Sequence, residues 1–346
     1  MLKKISIDCM NDAEKIIIIA EAGVNHNASM EMARRMVVEA ARAGADYVKF
    51  QTAVPELVIS SIAPKAEYQK ETTGEAESQL EMCKAIHLPL SAYPELAALC
   101  REEGIGFMST PFDLVSIDSL ASLDMDYWKI PSGEITNLPY LRKIAKTGGK
   151  VILSTGMSTI DEVATAVDIL ETGGINRKDI ILLHCTTQYP TPYSDVNLKA
   201  MDSLRRLNTG GVGYSDHTLG IEVPVAAAAL GAKVIEKHFT LDKNLPGPDH
   251  RASLDPAELA EMVKAVRHIE KALGSGVKAV ADSERPNIEV ARKSIVAART
   301  IVKGEMFTEE NITVKRPGNG ISPMQWDSVI GQVAKKDFAY DSLIEL

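Results

Sequence analysis

The stretch VIEKHFTLDKNLPGPDH, residues 234–250, runs from β-branched residues into Glu236, Lys237 and His238, and then into a loop with prolines and an acid. A lone histidine at a strand end is commonly a core imidazole bonded to a carbonyl. A set of strands that all end in polar groups reads instead as a reaction centre. The second pattern is present: apolar runs lead into Glu21, Asn25 and His26; Lys49 and Gln51; Ser109 and Thr110; and Lys129, Ser132 and Glu134. Later runs lead into Ser154 and Thr155; His184, Thr187 and Tyr189; Ser215, Asp216 and His217; and His238. Two strand-borne lysines, Lys49 and Lys129, with Thr110, Ser132 and Ser215, form a cation-and-hydroxyl set suited to phosphate or carboxylate oxygens. A phosphorylated, carboxylated small molecule fits such a set. His217 and His238 fall on successive strands. Neutral imidazole is a common ligand for Mn, Fe or Zn, and two nitrogens leave coordination positions for water and substrate, as Lewis-acid catalysis requires. Blander roles stay open for His26, His184 and Asn25 as loop members, and for Ser154 and Thr155 as helix caps.

The elements that must position these groups are legible as alternating periods. Short β-branched runs occur at 16–20, 47–50, 106–108, 127–130, 151–153, 180–183, 212–214 and 234–235. Helical spacing follows, as in Ala33, Met36, Val37, Ala40 and Ala41. Thr159 with Glu162 reads as a capping box, and Asp255-Pro256-Ala257-Glu258 as an N-cap acid, a first-turn proline and a reciprocal glutamate. Eight β-α repeats favour a parallel (β/α)8 TIM barrel over an open doubly wound sheet. No G-x-G-x-x-G follows the first run, which weakens the dinucleotide-binding alternative. Residues 52–90 are long and polar, and read as an insertion with a short helix and a task of its own. From about 287 the pattern changes to short strands and Gly-containing turns. The expected organisation is therefore a catalytic barrel over 1–273, a linker over 274–286 and a small, mostly β domain over 287–346. So small a domain buries little core and leans on another surface, such as a second subunit.

Composition narrows the function classes. The formal charge of -9 over 346 residues disfavours nonspecific nucleic-acid binding, which needs a basic surface. No apolar run is long enough to cross a bilayer, and the opening MLKKISIDCMNDAEK has no apolar core of a secretion signal, so a cytoplasmic protein is expected. Cys9, Cys83, Cys100 and Cys185 lie far apart without a C-x-x-C pair and are expected to be reduced thiols.

The stretches IAEAGVNHN (19–27), VKFQT (48–52), STPFD (109–113), KIPSGE (129–134), LSTGM (153–157), HCTTQYPTP (184–192), GYSDHTLGIE (213–222), EKHFTLDKNLPGPDH (236–250) and VKRPGNGISP (314–323) resemble the sialic acid synthase family, in order and over essentially the whole chain. The resemblance implies a TIM barrel with a C-terminal antifreeze-like SAF domain, swapped onto the partner's barrel in a homodimer. It implies condensation of phosphoenolpyruvate with an N-acetylated hexosamine. The acceptor N-acetylmannosamine would give N-acetylneuraminate; the alternative, 2,4-diacetamido-2,4,6-trideoxymannose, would give N,N'-diacetyllegionaminate. A 3-deoxy-octulosonate type of synthase leaves the tail unexplained. The family's divalent metal, Mn2+ first and Mg2+ or Co2+ behind it, would be held by His217 and His238. Phosphoenolpyruvate contacts carry over to Lys49, Thr110, Lys129, Ser132, Ser154, Thr187 and Ser215, and sugar contacts to Gln51, Tyr189, Asp249 and Arg316. Glu134 would join the sugar side and Glu21 the reacting end, and one of these two carboxylates, Glu21 or Glu134, would handle protons. Two departures stand out: Ala28 replaces a usual glycine in the first loop, and Thr187 stands where some members carry Asn.

Overall fold

The computed structural model describes residues 15–74 and 76–346, so Cys9 lies outside the described residues. The chain divides into two compact units, one ending at Gly274 and the other comprising Ser275–Leu346. In the first, eight parallel strands form one sheet: β1 (Ile17–Gly23), β2 (Tyr47–Thr52), β3 (Gly106–Pro111), β4 (Tyr127–Ile130), β5 (Lys150–Ser154), β6 (Ile180–His184), β7 (Gly211–Asp216) and β8 (Val234–His238). Their order, β3-β2-β1-β8-β7-β6-β5-β4, is that of a barrel cut between β3 and β4, and these two strands meet across the cut. Each apolar run singled out in the sequence forms the body of one strand.

Helices follow each strand and cover the outside of the ring. Their starts obey local chemistry. The Ser29 side chain accepts from Met32 N, Asp113 from Val115 N and Ser116 N, and Asn137 from Tyr140 N. Both expected capping boxes form, at Thr159/Glu162 before Ile160–Thr172 and at Asp255/Glu258 before Pro256–Leu273. Such caps satisfy amide groups that a helix start leaves unbonded, and each stabilises by about 1 kcal/mol. Among the described residues no helix is long and apolar enough to cross a membrane.

The barrel interior is layered because strand side chains alternate with a period of two. Ile19, Met108, Ile152, Leu183 and Val234 form an apolar plug inside the ring, with Ile17, Tyr47, Tyr127 and Ile181 packed against it. Gly213 completes this layer by lacking a side chain: a Cβ there would stand 2.3 Å from Val234 O and 2.7 Å from Leu183 Cδ2. Two residues further along the strands come Glu21, Lys49, Thr110, Lys129, Ser154, Ser215 and Glu236, so the layer above the plug is polar and buried.

Residues 53–90 are richer in helix than expected. They carry Pro55–Val58, Glu67–Thr73 and Gln79–Ile86, the last started by a Ser78/Glu81 capping box. In the second unit β9 (Ser294–Ala297) pairs antiparallel with β10 (Ile312–Lys315), around a core of Ile295, Ile301, Phe307, Val329, Phe338 and Ile344. The segment read as a linker opens this unit, with a helix at Arg285–Ala291 close to its end.

Candidate active site

The carboxyl ends of the strands surround a cavity of about 300 Å³. Glu21, Lys49, Gln51, Thr110, Lys129, Ser132, Ser154, Thr187, Tyr189, Ser215, His217, His238 and Asp249 all line it. Two expected residues are not among this lining. Glu134, in the turn after β4, is outside the lining, and its carboxylate accepts from Asn137 Nδ2 at 2.5 Å. Arg316 belongs to the second unit, where its exposed side chain donates to Ala291 O.

At the bottom of the cavity the two lysines are not bare cations. Lys49 Nζ lies 2.5 Å from Glu21 Oε2 and 3.7 Å from Glu236 Oε2, and donates to Thr110 Oγ1 at 3.0 Å. Lys129 Nζ donates to Ser154 Oγ at 2.7 Å and lies 3.6 Å from Glu236 Oε1. Ser215 Oγ donates to that same Glu236 oxygen at 3.0 Å. Glu236 therefore bridges the lysine pair, a role the sequence reading did not give it. The signal was available: Val234, Glu236 and His238 share one strand phase, so a residue between an interior valine and an interior histidine must also face inward.

Burial and charge oppose each other here. Burial disfavours the Lys49 ammonium, but the Glu21 and Glu236 carboxylates outweigh it and hold its pKa above the ordinary lysine value. Lys129 falls below that value because burial dominates. Glu236 is pushed up by burial and pulled further down by Lys129 and Lys49, ending below the usual carboxylate value. Glu21 absorbs the imbalance: burial, aided by Glu236 and opposed by Lys49, raises it to about 7.

Nearer the mouth, the His217 and His238 rings lie 5.4 Å apart at 58°. The Tyr189 ring stands 4.0 Å from His217 and perpendicular to His238 at 5.6 Å, and Tyr68 stacks on Tyr189 at 5.0 Å. Burial lowers the pKa of both histidines, which keeps the imidazoles neutral. His217 Nδ1 donates to Thr186 O at 2.6 Å, which leaves Nε2 as the open lone pair. His238 Nδ1 is buried without a hydrogen-bond partner and lies 4.0 Å from Asp249 Oδ2. Asp249 is itself raised to about 7 by burial. Neutral rings, one oriented through its second nitrogen and the other with an orphaned buried nitrogen, fit a divalent ion. No group of three or more His, Cys, Asp or Glu side chains in a metal-holding arrangement occurs among the described residues, so such an ion would draw further ligands from substrate or water.

Other expected features are placed as follows. Ser132 Oγ accepts from Gly156 N at 2.9 Å and contacts Cys185 Sγ at 3.2 Å. His26 is fully buried beside Phe50 and outside the cavity, with Nδ1 accepting from Ala28 N at 3.2 Å. His184 bonds to Val196 O. Ala28 adopts φ 57, so this loop does demand the left-handed conformation that glycine takes most easily. Cys83, Cys100 and Cys185 are free thiols.

A parallel barrel whose strand ends converge on a buried, charge-balanced polar chamber is the architecture of a (β/α)8 enzyme. The chain belongs to the NeuB family, whose model matches residues 36–278, and the SAF domain model matches residues 292–345. It is 52% identical over 331 residues to the N,N'-diacetyllegionaminic acid synthase of Campylobacter jejuni subsp. jejuni serotype O:2, covering 96% of this chain and 99% of that protein. The N-acetylneuraminate-9-phosphate synthase of Homo sapiens is 38% identical over 304 residues, 86% of this chain and 82% of that one. The crystal structure of N-acetylneuraminic acid (sialic acid) synthetase from Leptospira borgpetersenii serovar Hardjo-bovis superposes with a TM-score of 0.68 and 36% identity, over 80% of this chain and 90% of that chain. The protein is thus an enzyme of the sugar-acid synthase kind.

Proposed function

We propose that this enzyme condenses phosphoenolpyruvate with 2,4-diacetamido-2,4,6-trideoxymannose and water, giving N,N'-diacetyllegionaminate and phosphate. The observation that carries the reaction is the pairing of Lys49 and Lys129 at the base of a cavity whose mouth holds His217 and His238. The acceptor departs from N-acetylmannosamine, the first expectation from sequence. Relatives named N,N'-diacetyllegionaminic acid synthase, at 52% and 48% identity, support the diacetamido sugar. So does the mostly apolar wall that residues 53–90 contribute: Val58, Ile59, Tyr68, Met82, Cys83 and Ile86 line the cavity, with Gln69, Gln79 and His87 as its polar members. The trideoxy sugar presents a C6 methyl and a second acetamido methyl where N-acetylmannosamine presents hydroxyls, and an apolar wall favours methyls.

In this reading the phosphate and carboxylate of phosphoenolpyruvate lie among Lys49, Lys129, Thr110, Ser132, Ser154, Thr187 and Ser215. Gln51, Tyr189 and Asp249 face the sugar. We further infer that Arg316 reaches the sugar's N-acetyl group from the SAF domain of a partner subunit in a homodimer. His217 and His238 would hold a divalent ion, Mn2+ foremost, which when bound supplies Lewis-acid polarisation of the sugar aldehyde. C3 of phosphoenolpyruvate bonds to the aldehyde carbon, the aldehyde oxygen takes a proton, and positive character appears at C2. Water adds to C2 and gives up one proton, and the tetrahedral carbon then expels phosphate, which carries off the C2 hydroxyl proton as hydrogen phosphate, to leave the keto acid. One proton is consumed and one released. Glu21, titrating near neutrality inside the cavity, is suited to donate the first and accept the second. Glu134, outside the lining, is the weaker candidate.

The test is phosphate release from phosphoenolpyruvate with each sugar, with and without chelator, and mass spectrometry of the product. Release with the diacetamido sugar alone or in strong preference is expected, lost with chelator and restored by Mn2+. Preference for N-acetylmannosamine would replace the acceptor, and full activity under chelation would remove the metal.

A further inference from the structure

On the opposite face of β7 and β8 from the cavity lies a second buried charge pair, between Asp216 and Lys237. Both side chains are completely buried, and the two residues are register partners. Being out of phase with His217 and His238, they face the surrounding helices, where Glu222 and Glu258 lie within electrostatic reach of Lys237. The pair does not stand alone. The Asp216 carboxylate also accepts from Thr218 N at 3.2 Å and from Thr218 Oγ1 at 2.9 Å, and Lys237 Nζ donates both to that carboxylate and to Thr218 O, the latter at 2.6 Å.

The topology of these bonds is specific. Residues 216 and 218 flank His217, and residue 237 precedes His238. One ammonium group therefore ties the backbone on both sides of the first histidine to the strand position next to the second. The cavity side adds two fixings, His217 Nδ1 to Thr186 O and Thr191 N to His217 O at 2.8 Å. A buried ion pair is a poor device for stability alone, because apolar residues of similar volume commonly do as well or better. Its distinctive property is geometric: bonds to several fixed acceptors allow one arrangement.

We infer that Asp216, Lys237 and Thr218 form a clasp that sets the separation and orientation of the two imidazoles, and so the affinity of the site for a divalent ion. These are positioning residues, and the inference rests on the two-histidine reading given above. Removing groups that orient metal ligands typically lowers affinity about ten- to a hundredfold.

The experiment is calorimetric titration of MnCl2 into the chelator-treated full chain, as wild type, as the double variant Asp216→Leu/Lys237→Met, and as Thr218→Val. The double variant keeps net charge and fills the same space, so its melting temperature is expected to stay close to that of wild type while Mn2+ affinity falls about ten- to a hundredfold. Thr218→Val retains the ion pair and is expected to lose several-fold in affinity. A folded double variant that binds Mn2+ as wild type does overturns the clasp and leaves the two-histidine site standing. Should the double variant not fold, unchanged affinity in Thr218→Val overturns it equally. A wild type that binds no Mn2+ removes the two-histidine reading itself, and the clasp with it.

Discussion

The Lys49 ammonium lies 2.5 Å from the Glu21 carboxylate, in contact with the cavity yet almost closed to solvent. The pair joins β1 to β2 directly above an apolar plug, so its charges are settled among neighbours and not by water. For Glu21→Gln, kcat is expected to fall about 10²- to 10⁴-fold, the usual range for a lost proton carrier. Phosphoenolpyruvate affinity, read by calorimetry, should hold or tighten, because one anion has left its surroundings. Loss of that affinity would show that Glu21 serves to organise Lys49 instead.

Glu236 stands within 4 Å of both lysines and is their shared counter-ion. Replacing it with Gln leaves two buried ammonium groups facing one carboxylate, which is expected to destabilise the protein by about 3 kcal/mol. Inorganic phosphate or phosphoenolpyruvate can supply the missing charge. The ligand-induced rise in melting temperature should therefore be larger in Glu236→Gln than in wild type. An equal or smaller rise would place the anion elsewhere.

Ala28 holds φ 57 in the loop after β1, and its N–H donates to Ile86 O at 3.1 Å, which ties that loop to the 53–90 segment. A side chain in the left-handed region costs about 1 kcal/mol relative to glycine. Ala28→Gly is expected to stabilise by roughly that amount in urea unfolding, with the loop conformation kept. A destabilised variant would mean that the Ala28 methyl contributes packing that outweighs its strain.

His26 is buried as the neutral ring, and burial lowers its pKa from 6.5 to about 4. Between those values the unfolded chain binds more protons than the folded one, so stability drains away as pH falls from 6.5 towards 4. A shift of this size corresponds to about 3 kcal/mol once both titrations are complete. His26→Gln removes the titration. The stability difference between wild type and variant, measured by urea unfolding across this window, should move against wild type as pH falls. A flat difference would show the ring to be charged, or accessible, in the folded protein.

The strands were readable because β-branched runs of four or five residues, each followed by polar turn residues, leave few alternatives. Ser154, Thr110 and Ser215 were readable for the same reason: strand ends on one side of a parallel barrel must converge. Glu236 is hard to single out because a glutamate in EKH reads as a solvated strand end until its phase is fixed by Val234. Glu134 shows the reverse case. It follows Ser132 in a short 3-10 turn, and that turn's direction, which decides whether its side chain enters the cavity, leaves no trace in residue type. The 52–90 insertion was expected to carry one short helix and carries three, Pro55–Val58, Glu67–Thr73 and Gln79–Ile86, because polar sequence with weak apolar periodicity under-reports helix. At Ala28 the sequence showed only a departure from a usual glycine; the φ of 57 found there accounts for that glycine.

The plug of Ile19, Met108, Ile152, Leu183 and Val234 gives the chamber a floor without a drain. Tyr68 and Tyr189, stacked on each other, line the same cavity as Lys49 and Lys129. With the floor closed, the proposed reaction would follow a timetable: the three-carbon ester would board ahead of the bulky sugar, and inorganic phosphate would wait behind the nine-carbon product until that product had left.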